Sequence, residues 1–157
     1  MTIHDAASFG TALRRLVDHL DTALEQAYRD DGLDFRPRYT PIIRALRTGG
    51  PKTIRALAET LGVSHSAVSQ TVSQMKTRRL VEVSTGTDAR ERIVSLGGAA
   101  TALMPRLERH WQAAEAATAA LDDEIGGVLI DVVNRANAAL DAGAFTDRLR
   151  AVRATSG

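Results

Sequence analysis

The spacing of apolar residues in the middle of the chain predicts two short helices joined by a tight turn. In the first helix the apolar residues recur at steps of three and four, which places on one face Ile54, Leu57, Ala58 and Leu61. Thr53 precedes this helix and is a residue type that caps helix N-termini. Gly62 follows it, and glycine most readily takes the left-handed conformation that ends a helix. The pattern therefore predicts a helix over residues 54–61 with a turn after it.

The second predicted helix, which Ser64 can cap, has an apolar and a polar face. The apolar face consists of Val68, Thr71, Val72 and Met75. The polar face consists of Ser66, Ser69, Gln70, Ser73 and Thr77. Short hydroxyls and an amide suit close approach to another hydrogen-bonding surface, and a helix-turn-helix places such a face in the major groove of DNA. Helix pairs around a glycine also occur in proteins that do not bind DNA, so the pair alone leaves both interpretations open.

Two strand-like runs follow the helix pair. Residues 80–84 and 92–96 are rich in β-branched side chains and partly alternate, and the polar residues 85–91 between them include a turn glycine. The pattern predicts a hairpin with a long exposed tip, to which Arg90 and Arg92 add positive charge. A hairpin directly after a recognition helix is the wing of a winged helix-turn-helix. The two motifs together favour DNA binding.

Both flanks have a helical pattern and are rich in apolar residues. One stripe of residues 6–28 holds Phe9, Leu13, Leu16, Val17, Leu20 and Leu24. After the hairpin, the sequence predicts a long helix from about residue 99 to 121, a second from 122 to about 140, and a short one over residues 145–152. These segments offer more apolar surface than one small winged domain can cover. The predicted fold class is mainly α with a small β-hairpin, an α+β fold with a winged helix-turn-helix.

The order of these motifs resembles the multiple antibiotic resistance regulator (MarR) family. The resemblance covers roughly residues 40 to 105 and rests on the runs Leu57-Ala-x-x-Leu-Gly-Val-Ser64, Ala67-Val-Ser-Gln70, Asp88-Ala-Arg90 and Val94-Ser-Leu96. The chain departs from the family in one place. The family usually has Leu-Thr-x-x-Gly after the second wing strand, whereas this chain has Leu96-Gly-Gly-Ala-Ala100, which removes a threonine that would cap the next helix.

The resemblance implies an architecture, a set of partners and a mode of regulation. It implies a single domain over residues 1–157, with a winged helix-turn-helix at 38–98 and a helical dimerisation region at 1–35 and 99–157. Two chains would form a homodimer that reads pseudo-palindromic double-stranded DNA. A small aromatic or anionic effector would bind between the dimerisation helices and the winged region, where the candidate lining residues are His19, Phe35, Arg38, Tyr39 and Ile43.

The candidate DNA contacts are Ser64, His65, Ser66, Ser69, Gln70, Ser73, Lys76, Asp88, Arg90 and Arg92. Gln70 is the leading candidate base reader, because a glutamine can bond bidentately to adenine. Lys76, Arg78 and Arg79 lie toward the helix end, where each can contact phosphate or cover apolar surface with its stem, and Lys76 is the preferred phosphate contact. The resemblance implies that Arg90 enters the minor groove, where the negative potential favours a cation. Asp88 would hold a wing arginine by an ion pair.

Charge and composition limit the classes of function and of binding site that the chain can have. Residues 44–92 hold nine Lys or Arg against four Asp or Glu, a net of +5, while the rest of the chain has a net of −4. Phosphate binding needs such local positive charge. The chain has no cysteine, which excludes disulfides and thiol redox sensing, and its four histidines lack metal-ligand spacing. No cofactor is predicted. No run of about eighteen apolar residues occurs, so we expect a cytoplasmic protein that does not bind membranes.

The sequence thus predicts a sequence-specific, double-stranded DNA-binding transcriptional regulator, a homodimeric repressor that a small-molecule ligand releases. The alternative is a winged-helix protein used for nonspecific DNA architecture or for protein-protein contact. A preferred inverted repeat in the bound DNA separates the two. An enzyme is not predicted, because the chain assembles no nucleophile and base pair, no glycine-rich phosphate loop and no metal constellation.

Overall fold

The computed structural model describes residues 6–88 and 91–155. The helices are α1 (Ala6–Asp30), α2 (Thr40–Gly49), α3 (Ile54–Leu61), α4 (His65–Thr77), α5 (Gly98–Glu124), α6 (Leu129–Ala142) and α7 (Phe145–Thr155). A 3-10 helix, Pro37–Tyr39, precedes α2. The strands are β1 (Lys52–Thr53), β2 (Val81–Thr85) and β3 (Arg92–Leu96). The predicted fold class is confirmed: the chain is mainly helical with one small antiparallel sheet.

The sheet is antiparallel and has the strand order β1-β3-β2. The predicted hairpin is present, with Val81 opposite Leu96 at its base and Thr85 opposite Arg92 toward its tip. Strand β1 was not predicted, and it pairs with β3 through Lys52 opposite Val94. Two residues carry no alternating pattern, so only pairing with a distant strand defines β1.

Local signals at the two central helices are confirmed residue by residue. The Thr53 side chain accepts a hydrogen bond from the Ala56 amide at 3.0 Å and so caps α3. Gly62 ends α3 with a φ of 64°, in the left-handed region. The Ser64 side chain accepts from the Ala67 amide at 3.2 Å and caps α4. These caps fix the end of α3 and the start of α4 on the two sides of the turn.

The core of the winged region lies between α2, α3, α4 and the sheet. Its fully buried side chains include Ile43, Leu57, Val68, Met75, Leu80, Val81 and Val94. The apolar face predicted for α4 is thus inside, with Val68, Val72 and Met75 buried, while the Thr71 hydroxyl donates to the Ala67 carbonyl. Because that face is fixed in the core, the opposite polar face of α4 is held toward the outside.

The glycine pair after β3 does not prevent α5 from starting. The helix begins at Gly98, and the Thr101 amide and hydroxyl both reach the Gly97 carbonyl, at 3.1 and 3.3 Å. The Gly97 amide donates to the Leu80 carbonyl at 2.9 Å, which ties the start of α5 to the end of α4. The helix therefore starts without the side-chain cap that a threonine would supply, and Gly97 is held by its backbone bond to Leu80.

The chain divides into two compact units, the first ending at His110 and the second beginning at Trp111. In the second unit the boundary predicted at residue 122 is wrong, because α5 continues to Glu124 and α6 begins at Leu129. Asp122 does serve the start of α6, since its carboxylate accepts from the Leu129 amide at 2.6 Å. Gly126 and Gly127, with φ of 95° and 71°, let the chain turn back toward that carboxylate. None of the helices described combines the length and apolar character that crossing a bilayer requires.

Candidate nucleic-acid interface

A groove of about 720 Å³ opens between α4, the start of α3 and the two wing strands. Six of the predicted DNA contacts line it: His65, Ser69, Ser73, Lys76, Asp88 and Arg92. The helix residues among them come from successive turns of α4, and Asp88 and Arg92 come from the wing. Polar and charged side chains of both signs, from two separate elements, therefore converge on one concave surface.

The predicted base-reading residues lie on the outer face of α4. Ser66, Gln70 and Ser73 are exposed, and Ser69 is partly buried within the groove. Ser66 and Gln70 are four positions apart and so follow each other along one face of the helix. Ser64, also a predicted contact, already uses its side-chain oxygen to cap α4. The exposed part of α4 thus offers two short hydroxyls and one amide to a ligand, and the Ser73 hydroxyl among them also lines the groove.

Three exposed cations border the groove. Lys76 projects from the last turn of α4, and Arg92 begins β3. The third is Arg55, which was not predicted as a DNA contact. Its position in the first turn of α3, close to the Thr53 cap, could have identified it. Arg55 pairs with Glu59 at 3.0 Å, but both side chains are largely exposed. An exposed pair of this kind contributes only about 0.3–0.5 kcal/mol, so a phosphate can compete for the guanidinium.

Two backbone hydrogen bonds close the turn at the base of the wing tip. The Gly86 amide donates to the Glu91 carbonyl at 2.9 Å, and the Glu91 amide donates to the Asp88 carbonyl at 2.9 Å. Asp88 is exposed and faces the groove. Arg90, the residue predicted to enter the minor groove, lies outside the described residues, and the wing contact assigned to it stays a prediction.

The arginine that ends α4 points away from the groove. Arg78 Nε donates to Asp34 Oδ2 at 3.0 Å, and its guanidinium lies 5.8 Å from the centre of the Tyr39 ring. Arg38, predicted to contact an effector, donates to Gln74 Oε1 of α4 at 2.7 Å and lies 5.7 Å from the same ring. Both arginines thus join α4 to the segment before α2.

The other predicted effector residues differ in their surroundings. Phe35, Tyr39 and Ile43 are buried in the core, and Phe35 packs edge-to-face against Tyr39 with ring centres 5.6 Å apart. The Tyr39 hydroxyl is buried and finds no hydrogen-bond partner within the described part of the chain. His19 is exposed on α1, where Arg15 Nε donates to its ring at 3.4 Å. The structure brings Phe35, Arg38 and Tyr39 together and leaves His19 on the surface.

A second cluster joins the end of α1 to α5. Arg106 Nη2 and His110 Nε2 lie 3.1 and 3.2 Å from Asp31 Oδ2, and Arg106 also donates to the Asp31 carbonyl. The His110 hydrogen bond, supported by Arg106, holds the pKa of Asp31 below its usual range. Sequence patterns do not reveal this cluster, because Arg106 and His110 lie 75 and 79 positions from Asp31. Over residues 6–88 and 91–155, no three His, Asp or Glu side chains come together as a group that could hold a metal ion.

Comparison with known proteins gives a consistent result. The family model described as MarR family matches residues 32–91. The fold of the chain is similar to a Mycobacterium tuberculosis transcriptional regulator, MosR, solved in complex with DNA, with a TM-score of 0.68 and 22% identity over 88% of this chain and 99% of that one. No curated protein matches the sequence.

Two further solved structures have the same fold. Streptomyces coelicolor PcaV, a transcriptional regulator in complex with its natural ligand, has a TM-score of 0.67 and 20% identity over 88% of this chain and 99% of that one. Bordetella bronchiseptica BpsR, whose DNA binding is regulated by 6-hydroxynicotinic acid, has a TM-score of 0.67 and 19% identity over 90% and 99%. The family-model match covers the helix pair and most of the wing, and the fold agrees along the chain. Residues 32–91 thus match the MarR family model, and the chain has the fold of these winged helix-turn-helix transcriptional regulators.

Proposed function

We propose that this chain is a homodimeric, sequence-specific repressor that binds double-stranded DNA and is released by a small-molecule effector. The observation that carries the proposal is the groove in which α4 and the wing present His65, Ser69, Ser73, Lys76 and Arg92 together. A surface with short polar groups on a helix and cations around them matches the major groove and its flanking phosphates.

The proposed contacts divide into base reading and phosphate binding. Gln70 reads adenine through its amide, and the small Ser66 and Ser69 allow α4 to approach the base edges closely. Lys76 and Arg55 contact phosphates beside the major groove. Arg90 and Arg92 of the wing contact the adjacent minor groove, and Asp88 orients a wing arginine. Since the outer face of α4 carries no arginine in its first turns, much of the affinity then comes from these surrounding cations.

The dimer is proposed from apolar surface that the single chain leaves exposed. On α1, the side chains of Phe9, Leu13 and Val17 are between 47% and 55% exposed. Separately, α6 and α7 contain no buried residue, and the side chains of Val132 and Phe145 are 54% and 61% exposed. Large apolar side chains left exposed along a helix favour association with another surface. A two-fold dimer would present two copies of α4 to half-sites about 34–36 Å apart.

The effector is proposed to be a small aromatic or anionic molecule bound near Phe35, Arg38, Tyr39 and Ile43, with His19 at the edge. The buried Tyr39 hydroxyl, which has no hydrogen-bond partner among the described residues, offers a hydrogen bond, and the Arg38 guanidinium offers a positive charge. BpsR and PcaV share the fold. The DNA binding of BpsR is regulated by 6-hydroxynicotinic acid, and PcaV was solved in complex with its natural ligand. Arg38 also bonds to Gln74 of α4, so a molecule that engaged Arg38 would disturb the recognition helix.

Selection from random double-stranded DNA tests the DNA-binding part of the proposal. Purified protein should enrich a short inverted repeat whose half-site centres are about 10–10.5 base pairs apart. Footprinting of the enriched sequence should protect both half-sites. Enrichment of no sequence, with binding that depends only on salt, would instead support nonspecific DNA architecture, and absence of any DNA binding would support a role in protein-protein contact.

Release by an effector is tested on the selected DNA. The probe is 6-hydroxynicotinic acid, together with benzoate as a simpler aromatic anion, in a fluorescence anisotropy titration of labelled operator. Either compound should raise the apparent Kd for DNA, and Arg38→Gln should abolish that response, while Arg109→Gln on exposed α5 surface should keep it. Unchanged DNA affinity at millimolar concentrations of both compounds would contradict an effector of this class.

A further inference from the structure

The charge and position of Arg78 favour a phosphate contact, but its surroundings assign it to a different task. Arg78 is the capping residue directly after α4. Its Nε donates to Asp34 at 3.0 Å and its Nη1 to the Gln74 carbonyl at 3.4 Å, and only 27% of its side chain is exposed. The guanidinium also lies over the Tyr39 ring, within the distance at which a cation is attracted to an aromatic face. Three protein partners therefore hold this cation.

A second hydrogen bond joins the C-terminal part of α4 to the segment before α2. Gln74, one turn before Arg78, accepts from Arg38 at 2.7 Å, and the Arg38 guanidinium lies 5.7 Å from the centre of the Tyr39 ring. Tyr39 is completely buried, so its ring is a fixed support for both cations. We refer to Asp34, Arg38, Tyr39, Gln74 and Arg78 as the helix-end clamp.

The clamp acts at the opposite end of α4 from the residues proposed to read bases. At 1.5 Å per residue, Ser66 lies about 12 Å along the helix from Gln74. A tilt of about 5° at the clamped end therefore moves Ser66 and its neighbours by about 1 Å. Because hydrogen bonds to base edges weaken steeply when distance and angle depart from their optimum, a displacement of this size removes base reading. A contact to phosphate through a long lysine tolerates the same displacement.

We propose that Arg78, held by Asp34, is a positioning residue that sets the alignment of α4 and thereby its sequence specificity, without touching DNA. The proposal rests on the proposed function, since it concerns the same reading of DNA. The segment that holds α4 is itself fixed at its start, where Asp31 bonds to Arg106 and His110 of α5. The alignment of α4 is thus set relative to the junction of α1 and α5.

The test compares three quantities for each variant: the Kd for the selected operator, the Kd for unrelated DNA, and the slope of log Kd against log salt concentration. Arg78→Gln and Asp34→Asn should each weaken operator binding about tenfold, the loss expected for misread bases, while the Kd for unrelated DNA and the salt slope stay at wild-type values. The double variant should be no weaker than either single one, because both remove the same contact. Lys76→Gln is the control, and it should weaken both Kd values and reduce the salt slope by about one.

Each other outcome overturns the inference. If Arg78→Gln behaves like Lys76→Gln, Arg78 is a phosphate contact. If it raises both apparent Kd values only in proportion to the loss of folded protein measured by circular dichroism, Arg78 serves stability alone. Asp34→Asn separates the proposed role from a folding defect, since the Asp34 side chain is 77% exposed and its substitution leaves the core unchanged. If the wild-type protein itself does not distinguish operator from unrelated DNA, the proposed function is wrong. If the wild type distinguishes them and the variants bind as it does, only the role of Arg78 is wrong.

Discussion

Gly97 lies against the main-chain carbonyl of Arg79, so closely that a β-carbon at position 97 would come 2.3 Å from that oxygen. Arg79 has a left-handed φ of 56° and follows the end of α4, and Gly97 is the residue before α5. The contact therefore joins the exit of the recognition helix to the entry of α5. It also gives a physical reason for the glycine that stands where the family usually has a threonine.

Gly97→Ala should destabilise the protein by about 1–3 kcal/mol, because the new β-carbon must displace backbone at the end of α4. The adjacent Gly98→Ala is the matched control. No atom lies within 4 Å of a β-carbon at position 98, and alanine in the first turn of α5 should leave stability unchanged or raise it by about 0.5–1 kcal/mol. Urea unfolding of both variants checks the prediction, and equal stabilities would contradict it.

Gln70→Ala should weaken DNA binding by about 1–3 kcal/mol, and mainly at one base-pair position in each half-site, because a bidentate contact to adenine is lost. Anisotropy titrations of operators substituted at single positions measure this. Gln112→Ala, an exposed glutamine on α5, should bind as the wild type does. A uniform loss over all operator variants would show that Gln70 does not read a base.

Arg90→Ala should weaken binding to most DNA sequences and reduce the salt slope by about one, because a wing cation is removed from the minor groove. The measurement is the Kd for operator and for unrelated DNA over a range of salt concentrations. Arg109→Ala, outside the proposed interface, serves as the comparison. Unchanged affinity in a folded Arg90→Ala variant would remove the wing from the interface.

Leu13→Glu combined with Val17→Glu should dissociate the proposed dimer, because two buried charges would replace apolar contacts between chains. Thr22→Glu places one such charge on the opposite side of α1 and should leave the dimer intact. Sedimentation equilibrium distinguishes the two outcomes. A dimeric double variant would mean that the α1 stripe contacts something other than a second copy.

Asp31→Asn should flatten the dependence of stability on acid pH. His110 and Arg106 lower the pKa of Asp31 from its usual 3.8, so the ionised carboxylate stabilises the folded state more than the unfolded one. This stabilisation is fully present above pH 3.8 and is lost as the pH falls below 3.8 through the folded-state pKa. Urea midpoints across that window should therefore drop more steeply in the wild type than in Asp31→Asn. His110→Gln should reproduce part of the effect, and parallel curves would contradict the assignment.

The sequence alone determined the features that depend on neighbours along the chain. The caps at Thr53 and Ser64 and the left-handed Gly62 involve contacts within a few residues, so residue type and spacing predict them. The buried face of α4 followed from helical periodicity, and the hairpin followed from β-branched runs around a polar turn. The same local information placed six candidate residues on the helix and wing that border one groove.

The tertiary structure decided what distant residues do to one another. Strand β1 exists only because β3 pairs with it. Arg78 bonds to Asp34, 44 positions away, only because the segment before α2 packs beside α4. The Asp31 cluster and the close approach of Gly97 to Arg79 likewise depend on chain segments that meet only after folding. Helical and strand periodicity carry no information about such pairings, because loop geometry and core packing select them, so only the folded chain reveals how the recognition helix is held.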